Sequence, residues 1–140
     1  MTLSLMKNCL LSIIFLLSFS AYANNWQEFG KDSNGHIHYV DMDNIEEGDG
    51  VIYYWSLMDF LETTTLGTRS NVSKYKVDCT DEKQTWLSYA YFSESMGKGK
   101  KIISLVPVWN HYGSTLNEIR SLTPNSIEYR LMRFVCGKKM

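Results

Sequence analysis

"VIYYWSLMDF", residues 51–60, decides the fold class. It mixes β-branched and aromatic residues, which suit the pleated surface of a strand. Both alternating sets of positions are mostly apolar: Val51, Tyr53, Trp55 and Leu57 against Ile52, Tyr54 and Met58. A strand that is apolar on both faces is covered on both, so this one belongs in the middle of a sheet.

Strand candidates continue on either side of it. Upstream, "NWQEFG" (25–30) and "HIHYVD" (36–41) flank "KDSNG" (31–35), whose Asn34-Gly35 pair suits the positive φ of a tight hairpin. Gly48-Asp49-Gly50 marks the next turn. Downstream, "SNVSKYKVDC" (70–79) alternates at its end, with Tyr75, Val77 and Cys79 facing one way and Lys74, Lys76 and Asp78 the other. "QTWLSYAYFSE" (84–94), the glycine loop "SMGKGK" (95–100) and "KIISLV" (101–106) follow. Short strands with regular turn signals predict an antiparallel meander.

The C-terminal stretch changes period. In "TPNSIEYRLMRFVC" (123–136), Ile127, Leu131 and Phe134 recur at helical spacing, with Thr123 as a candidate N-cap and Pro124 at the first helical position. "STLNEIRSL" (114–122) offers a short helix with a Thr115-to-Glu118 capping box. The expected fold is α+β: an antiparallel β-sheet meander with a C-terminal helix packed on it.

The first 23 residues stand apart. Lys7, an apolar run and Ala21-Tyr22-Ala23 form the n-region, h-region and cleavage pattern of a signal peptide. The run falls short of the ~20 apolar residues of a membrane span. Cleavage after Ala23 leaves a single domain over residues 24–140, with no span, exported to the periplasm or the outer-membrane surface. Cys9 precedes the apolar run rather than ending it and goes with the leader. Thirteen basic and fifteen acidic residues remain, a balance that gives no support to nucleic-acid binding.

Export puts the remaining cysteines, Cys79 and Cys136, in an oxidising compartment, where an isolated pair reads as a disulfide. A reactive thiol would need a base, and neither cysteine has a histidine near it in sequence.

Residues 36–50, "HIHYVDMDNIEEGDG", concentrate metal-binding residue types. His36 and His38 share a strand face and could chelate one ion with Asp41 as a third donor, but Asp41 falls on the opposite face of a continuing strand. As a calcium loop the stretch fails, because Glu46 stands where an EF-hand needs glycine. The plainer reading places both histidines on the solvent face of a hairpin, with Asp41 and Asp43 shaping the turn. "SMGKGKK" lacks phosphate-loop spacing and reads as a flexible basic hairpin tip, whose Lys98, Lys100 and Lys101 offer a contact to an anionic partner. Asn71-Val72-Ser73 matches a glycan acceptor inside an alternating strand. No G-x-S-x-G is present, nothing ties His111 to a serine, and no motif asks for a cofactor. The aromatics of residues 51–60 and 84–94 exceed what one core face holds, so some are expected to form a partner surface.

Taken in order, these elements resemble the surface-adhesin protein E family. Tyr39-Val40-Asp41 with Ile45, Gly50-Val51 leading to Trp55 and Asp59, and Ser70 to Asp78-Cys79 resemble its first strands. Tyr91-Phe92-Ser93 with Met96-Gly97-Lys98-Gly99, and Pro124-Asn125-Ser126 to Leu131 and Cys136, resemble its hairpin and helix. The resemblance supports the Cys79–Cys136 pairing. It implies a non-enzymatic surface adhesin that contacts host extracellular-matrix proteins and can form a homodimer. The chain departs from the pattern in lacking a lipid-acceptor cysteine at the cleavage site and in carrying extra sequence around residues 107–122. Two alternatives stand beside this reading: a periplasmic protein-binding or enzyme-inhibitor module, and an envelope metal binder or enzyme using His36, His38 and Asp41.

Overall fold

The computed structural model describes residues 24–105 and 119–139. The expected signal peptide, His111 and the Thr115–Glu118 capping box lie outside the described residues. Eight strands form one antiparallel sheet: β1 (Trp26–Lys31), β2 (Ile37–Asp41), β3 (Glu46–Gly48), β4 (Val51–Asp59), β5 (Ser70–Asp78), β6 (Lys83–Phe92), β7 (Lys101–Leu105) and β8 (Ile119–Ser121). A helix, α1 (Ile127–Lys139), follows. The sheet order is β1-β2-β4-β5-β6-β7, with β3 added to β4 and β8 to β6. The meander is as expected, and β4 is central, paired with β2, β3 and β5.

Turn chemistry sets the registers. At the β3–β4 hairpin, Asp49 and Gly50 both take positive φ (52° and 78°) between the paired Gly48 and Val51, the two-residue geometry that follows the sheet's twist. At the β1–β2 hairpin only Gly35 is left-handed; Asp32 organises the rest, its carboxylate accepting from the backbone N–H groups of Asn34 (2.9 Å) and His36 (3.0 Å).

α1 covers one half of one sheet face. Leu131, Met132 and Val135 are buried against Val40, Ile52, Tyr54 and Val77, and Ile127 is buried over Gly30 of β1. The helix starts later than the sequence implies. Pro124 and Asn125 (φ 64°) occupy the two corners of a turn closed by Ser126 N–H on Thr123 O. That conformation suits proline followed by a left-handed asparagine. Ser126, not Thr123, is therefore the cap: its Oγ accepts from Tyr129 N–H at 3.1 Å. Cys136, near the helix end, is joined to Cys79 at the end of β5 (Cα–Cα 5.8 Å), which is the expected disulfide.

Two further expectations change. Residues 119–121, expected in a short helix, form β8 on the Lys83–Thr85 segment of β6. A nine-residue helix has little intrinsic stability, and a vacant strand edge outcompetes it. The glycine loop is not a flexible tip. Met96 N–H donates to Asp59 Oδ1 (2.8 Å), Gly97 N–H to Ser70 Oγ (3.0 Å) and Lys100 N–H to Ser93 Oγ (2.8 Å). Gly97 (φ 67°) lies so close to the sheet that a Cβ there would stand 3.0 Å from Val72. The loop thus folds back onto Leu57 and Val72, on the face away from the helix.

Candidate functional site

Beyond α1 no described helix or strand packs over the same sheet face, and its composition changes. The next inward positions of β4 and β5 are Ser56, Ser73 and Asn71, all buried; Gln84 of β6, opposite Val77, lines the same cavity as Ser56 and Asn71. Three of them are hydrogen-bonded, Asn71 Nδ2 also donating to Ala90 O (3.4 Å). Ser73 Oγ donates to Asn71 Oδ1 (2.8 Å), and Tyr54 OH donates to Gln84 Oε1 (2.6 Å). Burial, helped by the neighbouring Tyr75 and Glu128, pushes the Tyr54 hydroxyl well above the usual tyrosine range, so it stays a neutral donor. Asn71 is only 6% exposed, which removes it as a glycan acceptor.

Aromatic side chains wall this polar floor. Trp86 stacks on Tyr89 (ring centroids 4.4 Å), Tyr89 meets Tyr91 edge-on (5.5 Å), and Tyr91 stacks on Phe60 (6.2 Å). The hollows they line run together. A deep cavity of about 80 Å³ over His38, Ser56 and Leu131 shares Met58, Asn71, Tyr75, Gln84 and Glu128 with a wider one of about 260 Å³ beneath Trp86. Tyr91 links the latter to an open trough of about 370 Å³ bounded by Phe60, Leu66 and Ile103. Leu66 is 70% exposed and Ile103 40%. Among the described residues, Trp86 Nε1 is the one buried side-chain polar atom without a hydrogen-bond partner. Aromatic walls over a hydrogen-bonded polar floor are the makings of a binding groove rather than of a core. β7 borders the trough, and among the described residues it pairs on one side only, with β6.

The sequence-derived candidates fall elsewhere or in new company. His38 is not on a solvent face: it is 4% exposed, with Nε2 2.8 Å from Asp32 Oδ2. The reason is the crossing of α1 above it, which makes that side of β2 interior. Burial acts to raise the Asp32 carboxyl, but hydrogen bonds from His38 and from the backbone of His36 and Asn34 outweigh it and hold the group below its ordinary value. His36 sits apart, with Nδ1 accepting from Leu61 N–H (3.0 Å) and its ring edge-on to Phe60. Asp41 is buried on the opposite face as a turn organiser, accepting from Asp43 N–H (3.2 Å) and Asn44 Nδ2 (2.8 Å). The structure does not gather His36, His38 and Asp41. Among the described residues, the cluster it does bring together is Asp32, His38 and Glu128, whose donor atoms all lie within 4.8 Å of one another. In the sequence Asp32 reads as part of a turn and Glu128 as part of the helical stretch, and no spacing rule connects the two.

Lys98 and Lys100 are exposed on the pinned loop, while Lys101 reaches over the Phe92 ring (5.9 Å). They therefore stand on the far side of the sheet from the groove. A separate hollow of about 410 Å³ on that side is lined by Trp26, Trp55 and Asp41, but the carboxylate there is already engaged by its own turn.

Comparison with known proteins agrees with this architecture. The chain is similar to solved structures of Haemophilus influenzae protein E. For crystal form II the identity is 15% over 86% of this chain and 93% of that one, with a TM-score of 0.60. For a second structure it is 16% over 86% and 89%, with a TM-score of 0.56. Protein E from non-typeable Haemophilus influenzae gives 16% over 85% and 80%, with a TM-score of 0.51. At such identities the likeness is one of fold. No curated protein matches the chain. The family model for surface-adhesin protein E matches residues 26–137, nearly the whole described domain, and with the meander, the helix and the Cys79–Cys136 bond in place the chain belongs to the surface-adhesin protein E family.

Proposed function

We propose that this protein is an exported, non-enzymatic surface adhesin that grips an extended segment of a host extracellular-matrix protein along the groove beside β7. The observation that carries the reading is the half of the sheet face that α1 leaves, with its buried polar floor, its aromatic walls and the edge of β7, which among the described residues pairs only with β6. An extended peptide laid against β7 gains main-chain hydrogen bonds from the edge. Alternate side chains of that peptide enter the trough bounded by Tyr91, Leu66 and Ile103. Lys98 and Lys100, on the far side, add attraction for an acidic partner without shaping the groove. A homodimer built on the same edge competes with the peptide. The family assignment supports the adhesin class, and the signal-peptide pattern over residues 1–23 supports export. Among the described residues no helix is long and apolar enough to cross a membrane.

The test has two arms. Protease added to intact cells should cleave the protein; protection until the outer membrane is broken would move it to the periplasm and overturn the adhesin reading. A panel of immobilised extracellular-matrix proteins should then capture the wild type, and Trp86→Ala or Tyr91→Ala should weaken capture about tenfold or more, as aromatic anchors in a groove do. Capture undiminished in both variants would place the partner surface elsewhere.

A further inference from the structure

We infer that Asp32, His38 and Glu128 form a three-ligand site for a divalent transition-metal ion, zinc in the first instance, which ties the start of α1 to the β1–β2 hairpin. The donors come from three separate places: the hairpin turn, the inner face of β2 and the first turn of the helix. Their ligating atoms lie within 4.8 Å of one another. Around a zinc ion with N and O donors at about 2.0–2.2 Å, neighbouring donors sit roughly 3.4 Å apart, so the arrangement is close to what the ion needs. His38 Nε2 and Asp32 Oδ2, at 2.8 Å, would part by about half an ångström, and Glu128 would swing inward.

Hydrogen bonding accounts for two of the three. Asp32 and His38 satisfy each other, and Asp32 is further held by two backbone N–H groups. It does not account for Glu128. Among the described residues this carboxylate makes no hydrogen bond or ion pair, yet it stands beside a second carboxylate and a 96%-buried imidazole. A dipole-facing acid in the first helical turn needs no such neighbours. A dication between the three replaces one proton with two charges and faces both carboxylates. On binding, Nε2 coordinates as the unprotonated nitrogen of a neutral imidazole, whose single proton then lies on Nδ1. One imidazole and two carboxylates suit zinc or manganese rather than a thiophilic ion. His38 and Glu128 also line the deep cavity of about 80 Å³, so the fourth coordination position faces the inner end of the groove. The disulfide fastens the other end of the same helix, at Cys136. The ion thus acts as a second clamp, and it depends on the fold alone, not on the adhesin reading.

The measurement is calorimetric titration of zinc chloride into the exported, disulfide-bonded protein, purified without a histidine tag and stripped with chelator. The expected result is one zinc per chain at micromolar concentration or below, with a raised thermal midpoint. His38→Ala removes a buried side chain and need not fold, so the deciding variant is Glu128→Gln, at an exposed position. It should keep the metal-free midpoint and lose at least about tenfold in affinity. His36→Ala should bind as the wild type does. No binding at micromolar zinc, full affinity in Glu128→Gln, or loss of binding in His36→Ala would each overturn the site.

Discussion

Under α1, β4 and β5 present Ile52, Tyr54 and Val77; further along the same strands, on the same face and at the same alternate positions, they present Ser56, Ser73 and Asn71. The first half is closed by Leu131, Met132 and Val135 and behaves as a core. The second half is buried without being apolar, and Ser73 and Asn71 are hydrogen-bonded within the sheet. Burial of apolar area stabilises by about 25 cal/mol per Å², so a sequence under pressure only to pack would have kept the apolar pattern to the strand ends. The change from Ile52, Tyr54 and Val77 to Ser56, Ser73 and Asn71, with Met58 remaining as the apolar neighbour of Asn71, marks where the sheet stops serving stability and starts presenting a surface.

The largest effect is expected where the closed half is stapled. Replacing both cysteines (C79A with C136A) frees a loop of 57 residues, and on the chain-entropy view costs about 4 kcal/mol, read from urea unfolding. Met132→Ala empties a fully buried site in the same half, away from the groove, and should cost about 3 kcal/mol while leaving partner capture unchanged. Capture lost along with stability would mean the two halves are not separable. On the open side, Gln84→Leu keeps size but strips the acceptor from the Tyr54 hydroxyl, which is 1% exposed. A buried donor left unpaired costs about 2 kcal/mol. A cost near zero would show that water enters the cavity and satisfies Tyr54, and would sharpen the contrast into one between a dry half and a wet one.

Much of this was legible in residue order because it is local. β-Branched and aromatic runs give the strands, Asp49-Gly50 gives its hairpin, and the Ile127–Leu131–Phe134 spacing gives the helix. The cysteine pair follows from compartment. What escaped depends on partners distant in sequence. His38 reads as solvent-facing until a helix starting ninety residues later crosses above it. Ser56, Asn71 and Gln84 look like outward polar positions, and only the pairing of β4, β5 and β6 brings them together on an inner face. The helix start was misplaced because Thr123-Pro124 imitates a cap, whereas the left-handed Asn125 closes a turn and passes the role to Ser126. β8 was missed because three residues carry too little pattern to compete with a helix-like composition.

The smallest effect lies on the seam between the halves. Asp32 has its carboxyl held below the ordinary value because its ionised form accepts hydrogen bonds from His38 and two backbone N–H groups, which together outweigh the opposing effect of its burial. A group with a depressed folded-state pKa contributes stability above its unfolded value, near 4, and loses it as pH falls through the folded value. Asp32 is partly open to solvent, so the contribution is discounted to about 1 kcal/mol or less. Metal-free wild type should therefore exceed Asp32→Asn in urea midpoint at pH 6, and the gap should close only below about pH 4. A gap independent of pH would show that the turn needs the side chain's shape and not its charge. A gap that closes on acidification would make the ionised Asp32 carboxylate the hinge between a half of the sheet built to be sealed and a half built to be met.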